Sequence, residues 1–211
     1  MSGCSNANIV GAGGIPIDLG LEELRRRLTG RGAPAFSVYG DDGAGREAAP
    51  LMPASVLVPI VAHEELSVVF TQRTSHLRLH SGQISFPGGR AEPEDPTPEF
   101  TALREAEEEI GLAPDRVELL ARLPEYCTRT GFCVTPVVGL LAPPLLLAPD
   151  RREVEEVFEV PLGFLLDPRN HERHTREYQG QMAGYYVIQY RERHIWGATA
   201  GMIVNLYRML G

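Results

Sequence analysis

The stretch TALREAEEEIGL, residues 101–112, puts four glutamates into the five positions from Glu105 to Glu109. On a helix, like charges three or four apart repel by about a few tenths of a kcal/mol per pair. With Leu103 as origin and about 100° per residue, Leu103, Ala106 and Ile110 fall within about 60° and form an apolar stripe. Glu105, Glu108 and Glu109 fall within about 100° of one another on the other side. Glu107 points to solvent, and Arg104, four residues before Glu108, can pair with it. Two carboxylates about 4 Å apart repel by about 4 kcal/mol at an effective dielectric of about 20. A divalent cation turns that repulsion into shared attraction. Oxygen-only ligands favour a hard ion, Mg²⁺ or Mn²⁺. The alternative is a solvated acidic face.

Outward from this helix, Thr97 or Pro98 opens it and Gly111 closes it as a natural C′ residue. Before it, Arg73 to Pro98 reads as one long loop. Before that, Ser55–Ala62 and Leu66–Gln72 are strand-like runs joined by His63-Glu64-Glu65. After the helix, strand patterns fall at Val117–Leu123, Val134–Leu141, Val154–Val160, Thr175–Gln179 and Tyr185–Tyr190. Pro161–Leu166 reads as a short helix. Ala198–Leu210 reads as a closing helix with Met202, Leu206, Met209 and Leu210 on its apolar face. Near the start, Leu21, Leu24 and Leu28 make a helical stripe with Asp18 as N-cap. Gly30–Pro53 reads as a loop. This order predicts an α/β or α+β sandwich, with residues 1–53 an extension bearing one short helix and 54–211 the main domain.

Composition bounds the function. The 211 residues are 43% hydrophobic and 23% charged, which is ordinary for a globular chain. A net charge of −8 disfavours nucleic acid as partner, since neutralising phosphates takes a basic surface. The N-terminus lacks the basic region and apolar run of a secretory signal. The apolar stretch Val137 to Ala148 is short and broken by Pro143 and Pro144, so no membrane span is expected. A soluble, cytoplasmic protein is the expectation, and a homodimer is compatible with it. Cys4, Cys127 and Cys133 include no CxxC pair and predict neither a disulfide framework nor a zinc site; they read as buried or spare thiols. The run Gly11 to Gly14 follows no strand and precedes no GK[ST], so it is not a phosphate loop.

FPGG (Phe86 to Gly89), an acidic loop and TALREAEEEIGL together resemble the box of the Nudix hydrolase family, G-x5-E-x7-R-E-U-x-E-E-x-G-U with U apolar. Arg104, Glu105, Ala106, Glu108, Glu109, Gly111 and Leu112 fill its second half in register. The first half is one residue longer than that pattern. Counting forward from Gly89 puts Asp95 in the first acidic slot and counting back from Arg104 puts Pro96 there, with Glu92 and Glu94 as further acids nearby. The resemblance implies an α/β/α sandwich around a mixed sheet. It also implies Mg²⁺- or Mn²⁺-dependent hydrolysis of a diphosphate linked to another moiety. Glu105 and Glu109 would be the main metal ligands, Glu108 a further ligand or the base, and the Gly88 carbonyl would complete the coordination.

Just upstream, FTQRTSHLRLHSGQISFPGG (Phe70 to Gly89) resembles the coenzyme A diphosphatase signature LLTxR[ST]xxxRxxxGxxxFPGG. Thr71, Arg73, Thr74, Arg78, Gly82 and FPGG match in spacing, and Val69-Phe70 replaces the leading pair of leucines. The implied substrate is coenzyme A or an acyl or oxidised form, cleaved to 3′,5′-ADP and 4′-phosphopantetheine or its derivative. Arg73, Arg78 and His80 are cationic or can become so, which suits a substrate rich in phosphate. Gly82 would allow close backbone approach. Arg104 joins them as an expected substrate contact. Structural ion pairs are the plainer reading for the arginines.

Two later stretches, Glu153 to Pro168 and His194 to Ile203, also resemble parts of bacterial coenzyme A Nudix proteins. Glu153 is the expected catalytic carboxylate from outside the box, with Glu155, Glu156 and Glu159 as alternatives. Another nucleoside diphosphate derivative as substrate, such as ADP-ribose, a dinucleotide or an oxidised nucleotide, and a non-catalytic nucleotide-sensing module are the rival readings. His171 and His174 as a metal pair is a weaker reading than two unrelated histidines. Trp196 reads as core ahead of a base-stacking role.

Overall fold

The computed structural model describes residues 19–29, 38–39, 51–75, 82–128, 130–178 and 181–211. Asp18, the glycine run 11–14, Cys4, Arg78 and His80 lie outside them. The elements, in order, are α1 (Leu21–Leu28), β1 (Val38–Tyr39), β2 (Met52–Val61), β3 (Ser67–Arg73), β4 (Ile84–Ser85), β5 (Gly88–Arg90) and α2 (Pro98–Ile110). There follow β6 (Val117–Arg122), β7 (Tyr126–Cys127), β8 (Phe132–Leu141), β9 (Val154–Pro161) and α3 (Leu162–Leu166). The chain closes with β10 (Glu172–Tyr178), β11 (Gln181–Tyr190), β12 (Arg193–Trp196) and α4 (Ala198–Leu210).

One mixed sheet runs β1–β7–β8–β2–β3–β4, with β6 also on β8, β5 on β2 and β9 on β3. Its spine is the parallel pair β2–β8, in register from Met52↔Phe132 to Val61↔Leu141. Strands buried on both faces read as nearly continuous apolar runs, and these two do. Alternate residues go to opposite sides. Leu57, Val61, Val69, Val137 and Leu141 pack on Ala102, Ala106 and Ile110 of α2. Val58, Ile60, Val68, Phe70 and Val138 join a larger core with residues of α1, α3 and α4. The result is helix, sheet, helix: an α+β sandwich around a mixed sheet, as the resemblance implied. A separate antiparallel sheet, β10–β11–β12, closes one end.

The long elements and the short helix α3 fall about where the sequence placed them; the shortest strands do not. The stretch read as a loop from Arg73 to Pro98 contains β4 and β5, and Gly30–Pro53 contains β1 and the start of β2. Two- and three-residue strands are too short to show a period. Leu24 and Leu28 of α1 are fully buried in the large core, so that helix is packed into the sandwich. Trp196, expected in the core, is only half-buried at the end of β12. Tyr185 meets it edge-on at 5.9 Å and Arg176 lies over its ring at 5.2 Å. Among the described residues no helix is long and apolar enough to cross a membrane.

Candidate active site

Helix α2 is fixed at both ends. Thr97 caps it, its Oγ1 accepting from the Phe100 N–H at 3.2 Å, and Pro98 takes the first turn, where no N–H is needed. Gly111 turns out of it at φ 67°, a left-handed conformation that glycine adopts without a Cβ penalty. Ala106 and Ile110 are fully buried, which turns the opposite side of the helix toward β5 and the end of β3. Leu103 packs, partly buried, beside them.

Glu109 is the most deeply placed of the acids, 6% exposed. The Gly88 N–H donates to its Oε2 at 3.3 Å, and Arg73 Nη1 stands 3.4 Å from its Oε1. Both contacts are long for a charged acceptor. Burial dominates and pushes this carboxyl up to about 7; the nearby Glu105 and Glu153 charges add to the rise, while Gly88 and Arg73 oppose it. Glu105 is half-buried and its carboxyl is also raised, first by burial. It lies directly on Gly89: a Cβ there would sit 2.5 Å from the Glu105 carboxyl carbon. The second glycine of FPGG is therefore the floor under an acid, a role its spacing alone did not reveal.

Glu108, expected to converge with these two, stands at the rim. Its side chain is 60% exposed, and Arg104 Nη1 touches it at 3.2 Å. The wheel places it on the right side, but β5 covers only the part of that face nearest Glu105 and Glu109. Glu107 is exposed as expected.

Arg104, expected among the substrate contacts, has its guanidinium on protein acceptors. Nε and Nη2 hold Asp95 at 3.1 and 2.9 Å, and Nη2 also donates to the Arg90 carbonyl at 3.2 Å. Nη1 reaches Glu105 at 3.0 Å as well as Glu108. Asp95 further accepts from Thr101 Oγ1 at 2.9 Å and the Glu92 N–H at 3.0 Å. The Arg104 fork holds its carboxyl well below the usual carboxylate range. Of the three acids open for the first slot, Asp95 makes this clamp, while Glu92 and Glu94 are exposed.

Arg73, at the end of β3, lies between Glu109 and Glu153, the latter at 3.9 Å. Its Nε–H is buried and finds no acceptor among the described residues. Glu153 is exposed, yet its backbone is tied to the site: Asp150 N–H donates to the Glu109 carbonyl at 3.0 Å and Glu153 N–H to the Asp150 carbonyl at 3.0 Å. The other acids weighed with it are engaged elsewhere or exposed. Glu156 pairs with Arg193 at 2.7 Å, Glu159 holds Ser67 and His63, and Glu155 faces solvent. His171 bonds the Leu165 carbonyl at 2.7 Å and His174 bonds Glu172 at 2.8 Å. The two histidines have separate partners and do not form a metal pair. Gly82, at φ 69°, occupies a turn before β4.

The donor chemistry fits a hard divalent cation. Glu105 and Glu109 are oxygen donors, both desolvated, both made hard to ionise first by burial and further by neighbouring carboxylates, Glu153 among them in each case. Among the described residues no three histidine, cysteine or carboxylate side chains form a ready-made cage. An open pair of carboxylates is how Mg²⁺ is commonly held, with substrate phosphates and waters supplying the other positions.

The NUDIX domain model matches residues 51–179. A Photorhabdus laumondii protein described as "Uncharacterized Nudix hydrolase NudL" is 40% identical over 153 residues, covering 72% of this chain and 82% of that protein. Its Escherichia coli K12 namesake is 39% identical over 158 residues, covering 75% and 82%. Among solved structures, a MutT/nudix family protein from Enterococcus faecalis superposes with a TM-score of 0.48 at 18% identity, over 77% of this chain and 63% of that one. The NUDIX domain of Shewanella oneidensis NrtR, complexed with ADP ribose, superposes at 0.42 and 22% identity, over 60% and 80%.

Proposed function

The chain belongs to the Nudix hydrolase family, whose members act on the diphosphates of nucleoside diphosphate derivatives, and from that premise we propose that this one cleaves coenzyme A or its acyl or oxidised forms. One observation carries the reading. The stretch from Phe70 to Gly89, which resembles the coenzyme A signature, begins and ends on the acids of the site. Arg73 meets Glu109, and Gly88 and Gly89 meet Glu109 and Glu105. Both described ends of that stretch thus stand where a diphosphate would lie.

Glu105 and Glu109 would hold the divalent cation, Mg²⁺ or Mn²⁺ as is usual in the family, with the Gly88 carbonyl as a further ligand. When bound, the ion neutralises the phosphate oxygens and makes a water more acidic. Glu153 is the better placed of the two expected bases: it is exposed beside Arg73 and Glu109, whereas Glu108 is drawn to Arg104. It would take the proton as the water oxygen bonds to phosphorus and the bridging P–O bond breaks. Arg73 would balance charge on the phosphates. Arg104 acts through Asp95, Glu105 and Glu108, as a positioning residue.

The test is product analysis. Purified protein is given coenzyme A and Mg²⁺, with ADP-ribose and NADH in parallel, and products are separated and weighed. The proposal expects 3′,5′-ADP and 4′-phosphopantetheine to form fastest. Untouched coenzyme A beside cleaved ADP-ribose or NADH would overturn the substrate and leave the site standing. No turnover of any of them would favour a sensing module.

A further inference from the structure

Two of the three cysteines face each other across a strand pair. Cys127 of β7 is the register partner of Cys133 of β8, and their sulfurs are 3.6 Å apart. The adjoining pair carries the ladder bond, Thr128 N–H to the Phe132 carbonyl at 2.8 Å. Cys127 and Cys133 therefore occupy a non-hydrogen-bonded pair, where opposed side chains approach most closely. Closing the remaining gap to a disulfide takes a small rotation of each side chain, not a movement of strands. The two thiols also differ in access. Cys127 is buried at 6% exposure, while Cys133 is half-buried and donates to Glu125 Oε2 at 3.4 Å.

We propose that Cys127 and Cys133 are a reversible dithiol–disulfide pair, oxidised by a low-molecular-weight disulfide. This does not rest on the identity of the hydrolysed substrate. Cys133, the accessible one, loses its proton and its thiolate attacks one sulfur of the small disulfide RS–SR. That S–S bond breaks, one RS⁻ leaves and is protonated, and a mixed disulfide remains on Cys133. Cys127 then loses its proton and attacks the Cys133 sulfur, and the second RS⁻ leaves. Two protein thiols have given up two electrons and two protons, and RS–SR has become two RSH. Because the buried partner never has to meet the oxidant, the order of steps follows from exposure alone. The bond would pin the edge of the sheet, since β7 also pairs with β1 and its Tyr126 ring packs against Gly201 of α4.

Burial, then the facing Cys127, push the Cys133 thiol up to about 12, so slow exchange is expected at neutral pH. The thiolate is the reacting form, and the assay is best run at about pH 8.5. The native protein is incubated with glutathione disulfide, and free thiols are counted after denaturation in the presence of an alkylating reagent. The expected count falls from three to one, with a mass loss of two hydrogens. Trypsin cuts after Arg129, between the cysteines, so the bond shows as two linked peptides that dithiothreitol separates. Cys133→Ser should abolish the linked product. Three surviving thiols, stable mixed disulfides with glutathione, a bond to Cys4, or a Cys127–Cys133 link formed only in denaturant would each overturn the proposal.

Discussion

The loop ahead of α2 and the C-terminal half of that helix each withdraw a carboxylate from water, and they treat it in opposite ways. Asp95 accepts two bonds from the Arg104 fork and two more from Thr101 and the Glu92 N–H, and its carboxyl is held low. Glu109 has one arginine at 3.4 Å, one backbone N–H at 3.3 Å and other acids nearby, and its carboxyl is raised to about 7. A satisfied acid is a structural part. An acid left short of donors is where the proposed cation would sit. The difference lies in the partners supplied, since one acid precedes the helix and the other lies on it.

The most severe way to break this comparison is to neutralise each acid without changing its shape. Glu109→Gln should lower kcat by at least about 10²–10³-fold, by analogy with the loss of one key electrostatic contact to a transition state. Asp95→Asn should lower kcat/KM by about 10–100-fold, the usual cost of losing a partner that orients a ligand. Their effects on the metal-free protein should have opposite signs. The folded-state value of Glu109 lies above its unfolded value of 4.5, so its ionisation adds no cost at low pH and destabilises progressively as pH rises from 4.5 to about 7. Glu109→Gln should therefore stabilise the metal-free fold at about pH 8, by about 3 kcal/mol. Asp95→Asn removes a carboxylate stabilised by ionisation and should lower the melting temperature. Thermal denaturation of both variants without metal decides it, and a shift of the same sign in both would break the contrast.

A smaller effect sharpens it. Gly89→Ala puts a methyl group 2.5 Å from the Glu105 carboxyl carbon, so that carboxylate must move. Affinity for Mn²⁺ should fall about tenfold, with kcat/KM following; calorimetric titration reads this directly. Smallest is the pH dependence of metal binding in the wild type. Protonating Glu109 competes with the ion, so affinity should weaken as pH falls through about 7, by up to about tenfold per unit. A flat profile from about pH 8 to 6 would mean that Glu109 does not meet the metal.

Part of this was legible in the residues. Thr97, Pro98 and Gly111 announce both ends of α2, and an apolar stripe opposite a run of glutamates orients it. What could not be read was set by contacts between distant segments. The extra residue before Arg104 left three acids for one slot, and only the hydrogen bonds from Arg104 and Thr101 select Asp95. The wheel grouped Glu108 with Glu105 and Glu109 because an isolated helix has no β5 to cover one part of its face and leave the rest wet. Cys127 and Cys133 looked like unrelated thiols because five residues separate them, and their meeting is a matter of strand register. The Arg73 to Pro98 segment looked featureless because β4 and β5 exist by pairing with β3 and β2, not by any period of their own.

The central claim is that the poorly satisfied pair Glu105 and Glu109 holds a divalent cation. The most direct test titrates Mn²⁺ into metal-free wild type and Glu109→Gln at about pH 8, with the free ion followed by electron paramagnetic resonance. The account predicts saturable binding by the wild type and at least about tenfold weaker binding by the variant, which stays folded. Equal affinity in the two proteins would contradict it.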